Sequence, residues 1–293
     1  MLGVHVDIET MVASIPQDKI DKAKKRINAV LAGSNVGSKP LEEMIGLLQW
    51  IGQILVRAGV HLPFCIQTLK AAFTHGHARV TQALRDELAW WTELLTVWNG
   101  RAIIIDPVWV VPAHSADRAP FTDACSDKGK GGGGAIFGKY IYACRWSSFE
   151  CQLLNIYELE GFMHVLWMQW ICDNVPDLVA GKRFITRCDN ESFCKAVTRG
   201  RSSYPVIDWL LRKLHILQSR FSFDIRVEHV AGVDNECADL LSRAKWREFS
   251  THIRQVANTK LADLDQVQIP QRLPWSSKLL SLKRSEAVLR SQH

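Results

Sequence analysis

"FTDACSDKGKGGGG", residues 121–134, sets an aspartate among apolar neighbours and follows it with a run of glycines. Phe121, Ala124 and Cys125 make a short apolar segment bounded by turn formers, which predicts a buried strand, and glycines 131–134 read as the β-turn into a second strand. A phosphate cradle is the weaker reading of those glycines, because the lysine-serine or lysine-threonine ending and the following helix are missing. A carboxylate inside such a strand is costly to bury unless something pairs with it. Asp123 therefore needs a partner.

Outward from this strand the pattern continues as strands over "GGAIFGKY" and "YIYACRW", a helix near 155–173 and a strand "KRFITRCD". One or more helices over 190–219, a strand "FSFDIRVEHV" and a last helix near 234–246 follow. Strands alternating with helices predict an α/β domain over residues 120–246. Upstream, after an initial strand "MLGVHVDI", apolar spacing predicts helices near 17–32, 40–58, 64–73 and 81–98; Met44, Leu47, Leu48, Ile51 and Leu55 line one face of the second. Residues 1–98 thus read as a small, mostly helical domain. Residues 99–119, with Pro107 and Pro112, read as an extended connection, and 247–293, with eight basic and four acidic residues, as a basic, loosely ordered tail or linker.

Bulk composition narrows the class. A chain of 293 residues that is 47% hydrophobic can bury one full core and a smaller second one, and its net charge of +6 suits a polyanionic partner. Eight cysteines without a C-x-x-C pair argue against a disulfide framework and a zinc site, and so for a reducing, intracellular compartment, nucleus or cytoplasm. The apolar run "FMHVLWMQWIC" is about half a membrane span and the N-terminus lacks a signal layout, so neither secretion nor a membrane partner is expected. Tryptophans 90, 91, 98, 167, 170 and 209 sit at helical spacing among leucines and read as core rather than as base-stacking groups.

Four acids fall at element ends, where side chains can converge: Asp123 in the first strand of the α/β domain, Glu158 in its first helix, Asp189 ending its fourth strand and Asp239 in its last helix. Like charges at close range raise one another's pKa, and divalent cations remove that cost. An all-oxygen ligand set favours magnesium, with manganese as a substitute, and two such ions suit hydrolysis of a phosphodiester. Glu160 competes with Glu158. In a helix residues two apart point about 200° apart, so one of the pair can face the metals. Glu158 is the choice, because Phe162 and Leu166, four and eight residues on, continue its side into the domain.

Taken in order, these segments resemble ribonuclease H, and more closely the ribonuclease H domain that follows the polymerase in retroelement reverse transcriptases. "TDAC" looks like the family's TDAS strand, "YELEGFMHVL" like its E-L-x-A helix, "CDN" like its third acid, and "HVAGVDNECADLLSR" like its H-x-x-G-x-x-N-x-x-A-D-x-L-S-R ending. "MLGVHVDIETMVASIPQDKIDKAKKRI" is similar to the stretch after the polymerase palm in DIRS-like tyrosine-recombinase retrotransposons, and "DELAWWTELLTVWNG" to their thumb-to-ribonuclease connection. The resemblance implies a ribonuclease H-like mixed five-stranded sheet flanked by helices, preceded by a helical thumb-like domain. It implies Asp123, Glu158, Asp189 and Asp239 as ligands of two metal ions, and His229 as a mobile imidazole that aids proton transfer or product departure. Cys125 stands where the family usually has serine.

The implied activity is metal-dependent hydrolysis of the RNA strand in RNA/DNA hybrids, with the polymerase part of a reverse transcriptase as a further partner. Asn190, Asn235, Lys128, Lys130, Arg199 and Arg201 are candidate substrate contacts; helix capping competes for Asn235, and solvated loop charge for the basic four. No Y-x-D-D aspartate pair occurs, so DNA synthesis by this polypeptide alone is not expected. Two other readings compete. One is a catalytically silent nucleic-acid-binding or scaffold module beside a polymerase. The other is a transposase or integrase with Glu228 as its third acid, which the placement of Glu228 in an apparent strand disfavours.

Overall fold

The structure, a computed structural model, describes residues 3–9, 12–55, 58–103, 120–127, 130–269 and 278–283. Two compact units emerge, Met1–Pro107 with His215–Phe223, and Val108–Leu214 with Asp224–His293.

In the first unit, strands β1 (His5–Asp7) and β2 (Val12–Ser14) precede helix α1 (Gln17–Ala32). Strand β3 (Asn35–Gly37), helices α2 (Ser38–Ile54) and α3 (Pro63–His75), strand β4 (His77–Arg79), helix α4 (Gln82–Val97) and strand β5 (Arg101–Ile103) follow. All four expected helices are present, and their apolar faces, including Ile27, Leu41, Met44, Leu48, Leu88 and Trp91, close one core. Strand β1 falls in the expected initial strand, whereas β2 to β5, which complete two small antiparallel sheets, β1-β2-β5 and β3-β4, are additions. Their three-residue strands are too short to show alternation in sequence.

The second unit contains β6 (Phe121–Asp127), β7 (Lys130–Phe137), β8 (Tyr140–Arg145), α5 (Ser148–Leu153), α6 (Ile156–Asn174) and β9 (Arg183–Cys188). It continues with α7 (Glu191–Arg199), the first part of α8 (Pro205–Phe221), β10 (Asp224–His229), α9 (Glu236–Ser242), α10 (Trp246–Ala257) and β11 (Asp265–Gln266). The sheet runs β10-β9-β6-β7-β8-β11. The β6-β7-β8 meander is antiparallel, whereas β9 pairs parallel with β6 and β10 parallel with β9. This mixed α/β architecture is compatible with a ribonuclease H-like fold. The expected five strands become six, because two-residue β11 adds parallel to β8.

Glycines 131–134 correct the expected turn: they lie inside β7, with Asp123 opposite Gly134 and Cys125 opposite Gly132. The physical reason is close packing on both faces. A Cβ at Gly132 would come within 2.2 Å of the Ser242 carbonyl oxygen, and one at Gly134 within 2.3 Å of the Ala238 carbonyl oxygen, both on α9. On the opposite face a Cβ at Gly133 would meet Met163 Sδ of α6 at 2.5 Å. Real side chains do not tolerate such contacts, so only glycine lets α9 lie with its backbone against the strand.

Residues 247–269, expected as a loose tail, continue the fold. Phe249 and Ile253 of α10 are fully buried with Phe121, Leu241 and Leu264. The charged and polar residues around them in α10 hide that face in the sequence, since an amphipathic helix keeps a polar side to water. Of the tryptophans expected in cores, 90, 91, 98 and 167 are buried and 170 and 209 half-buried.

Candidate metal centre

Four carboxylates from four elements of the second unit lie near enough for their charges to act on one another. They are those of Asp123, Glu160, Asp189 and Asp239, and mutual electrostatic effects link Asp123 to the other three and Asp189 to all of them. Asp123 stands mid-strand in β6, and its cross-strand partner Gly134 points its empty Cβ position at α9, so both positions face that helix. Asp239 is on α9 and Asp189 immediately follows β9. Glu160 comes from the first turns of α6, and ligand atoms of Glu160, Cys188 and Asp189 lie within 4.8 Å of one another.

Glu158, the expected choice within the pair, is not brought into this group by the structure. At the third position of α6, its Oε2 accepts the Asn155 N–H at 3.0 Å while Asn155 Oδ1 accepts the Glu158 N–H at 3.0 Å. Its other oxygen, Oε1, pairs with Lys283 Nζ at 2.6 Å. The Asn-x-x-Glu spacing of a capping box, residues 155–158, is the signal that could have identified this role. The apolar-side criterion failed because α6 is buried on all sides from Leu159 to Met168.

Electrostatics of the cluster follow from its crowding. Burial, and then the negative charges of Asp189 and Asp239, push the Asp123 carboxyl up to about 7, against relief from a hydrogen bond with Ser242 and the Arg243 charge. Burial, then Asp189 and Asp123, push Glu160 to about 8. Asp189 is also raised, by burial and by Asp239. Asp239 holds the Arg243 guanidinium at Oδ1, 2.6 Å from Nε.

Supporting groups surround the acids. Asn190 caps α7 by accepting the Phe193 N–H at 3.0 Å and also hydrogen-bonds Glu160. Asn235, 1% exposed, does not cap α9 through its side chain; its Nδ2 donates to the Thr122 carbonyl at 3.2 Å, and it hydrogen-bonds Asp189. Cys125, in the expected serine's place, donates to the Ser242 carbonyl at 3.3 Å. His229 ends β10 opposite Cys188, exposed, and its charge acts on Asp189.

One positioning residue escaped the sequence reading. His164 of α6, fully buried, bridges Thr122 Oγ1 of β6 at 3.1 Å and Thr186 Oγ1 of β9 at 3.5 Å, and burial lowers its pKa to about 4. As a neutral imidazole it ties together the two strands that carry Asp123 and Asp189. Lys128 lies outside the described residues, as does the side chain of Lys130, whereas Arg199 and Arg201 are exposed at the far end of α7.

The donor set fits divalent cations. Asp123 Oδ2 and Asp189 Oδ1 are buried without a hydrogen-bond partner, and buried polar atoms of that kind need a ligand, ion or water. Hard oxygen donors from three aspartates and a glutamate match magnesium or manganese.

No family model and no curated protein matches this chain. Among solved structures it is similar to the ribonuclease H1 of the halophilic archaeon Halobacterium salinarum NRC-1, at 15% identity, over 44% of this chain and 96% of that chain, with a TM-score of 0.31.

Proposed function

We propose that the second unit is a metal-dependent endonuclease that hydrolyses the RNA strand of RNA/DNA hybrids. The observation that carries this reading is the electrostatic coupling of Asp123, Glu160, Asp189 and Asp239, with one buried, unpartnered oxygen each on Asp123 and Asp189. Those four would hold two magnesium or manganese ions, which when bound supply an activated water and charge stabilisation at the leaving oxygen. Asn190 and Asn235 orient Glu160 and Asp189 rather than reaching out to substrate. His229, exposed beside Asp189, is placed to hold or pass a proton at its imidazole. Arg199, Arg201 and Lys128 are the proposed phosphate contacts, and their action is independent of base sequence.

The motif order also supports placing this chain in a retroelement reverse transcriptase of the DIRS-like type, with the first unit as its thumb-like part and an intracellular site of action. A polymerase would then be its partner. The test is purified protein with labelled RNA/DNA hybrid, duplex DNA and duplex RNA in magnesium, beside an Asp189→Asn variant. Cutting of the hybrid alone, lost in the variant, is expected; equal cutting by both proteins rejects the assignment.

A further inference from the structure

We propose that this acidic centre also takes a thiophilic divalent cation, zinc above all, through Glu160, Cys188 and Asp189. The inference rests on the reading of the cluster as a cation site and adds a soft ligand to it. The thiol is not a bystander. Cys188 ends β9, is fully buried, and its Sγ donates toward Glu160 Oε2 at 3.8 Å while accepting the Asn190 N–H at 3.5 Å. Its sulfur and one oxygen each of Glu160 and Asp189 fall within 4.8 Å of one another, a spread that a single ion can draw together with side-chain adjustment alone. Independently, Asp123, 4% exposed and close enough to shift Glu160, leaves Oδ2 unpartnered.

Two carboxylates and one thiolate form a mixed set that ranks zinc, cobalt and cadmium above magnesium, because thiolate is a poor ligand for hard cations. Binding ionises the Sγ–H bond: sulfur bonds the metal and the proton leaves to buffer. A zinc ion seated there would occupy carboxylates that magnesium needs, so zinc and magnesium exclude one another.

The test uses the full 293-residue chain. X-ray absorption at the zinc edge should show one sulfur neighbour at about 2.3 Å among lighter atoms. Cobalt should produce a thiolate charge-transfer band that vanishes in Cys188→Ser and persists in Cys125→Ser. Zinc affinity should fall at least about tenfold in Cys188→Ser and also in Asp189→Asn, which keeps the thiol. A shell of oxygen or nitrogen alone in the wild-type protein, or a cobalt band that survives Cys188→Ser, overturns the inference while leaving the nuclease reading intact. Failure of the wild-type chain to bind magnesium, manganese or zinc removes both.

Discussion

Asp123→Asn should stabilise the metal-free protein, and by an amount that grows with pH. Asp123 is 4% exposed, and its carboxyl is raised from 3.8 to about 7 in the folded chain. A carboxyl raised in this way adds stability only while it stays protonated. Its contribution is complete below the unfolded value and is lost as pH rises through the folded value. A shift from 3.8 to about 7 corresponds to a ceiling of about 4 kcal/mol at pH 8. Glu160 and Asp189 share the repulsion and can take up the proton instead, so a gain of roughly 2 kcal/mol is the expectation. Asparagine is neutral at every pH and nearly isosteric. Urea unfolding in chelator should therefore find the variant about equal to wild type near pH 4 and more stable at pH 8. Excess magnesium should stabilise wild type and shrink the difference, because the ion neutralises the repulsion that the variant has already lost. A gain that is the same at both pH values, or a variant less stable than wild type at pH 8, would refute the raised Asp123 carboxyl that burial and the neighbouring acids produce.

Other substitutions separate the roles of individual groups. Glu160→Gln should reduce hybrid cleavage on the order of a hundredfold or more, as expected for a ligand of a catalytic ion, while Glu158→Gln should cost roughly 1–2 kcal/mol of stability and keep most of the cleavage rate; single-turnover rates beside urea melts decide between them. Gly134→Ala forces a methyl to within 2.3 Å of the Ala238 carbonyl and should destabilise the second unit by about 2–3 kcal/mol while pushing Asp239 away, read as weakened magnesium binding. His229→Ala should slow turnover on the order of a hundredfold with unchanged unfolding, and a cleavage rate equal to wild type removes the proton-handling role.

How much of this was legible in the sequence differs between the helices, the sheet and the site. The four helices of the first unit announce themselves by apolar spacing, because each has a single buried face. Most of the order of strands and helices in the second unit is visible too, since its strands are apolar runs bounded by turn formers, whereas α5, α10 and β11 are not. The glycine run misled for a definite reason: glycine is flexible in isolation, but here two layers of structure press on β7, and the absence of side chains is what admits them. That demand is set by α9, about 100 residues downstream, and a local reading cannot see it.

The same limit governs the acids. Asp123 and Asp189 stood out because each interrupts or ends an apolar strand, a costly placement that calls for a partner, whereas Asp239 was marked by the resemblance of its segment. Glu158 and Glu160 defeat that logic, for they share one helix buried on every side, and both are themselves nearly inaccessible, at 0% and 8% exposed. What separates them is the start of the helix. Asn155 fixes the first turn, the capping box consumes one oxygen of Glu158, Lys283 takes the other, and the helical step of two residues then carries Glu160 to Asp189 and Cys188. Glu158 Oε2 closes the capping box and its Oε1 has the Lys283 ion pair but no hydrogen bond, whereas Glu160 is crowded against Asp123 and Asp189.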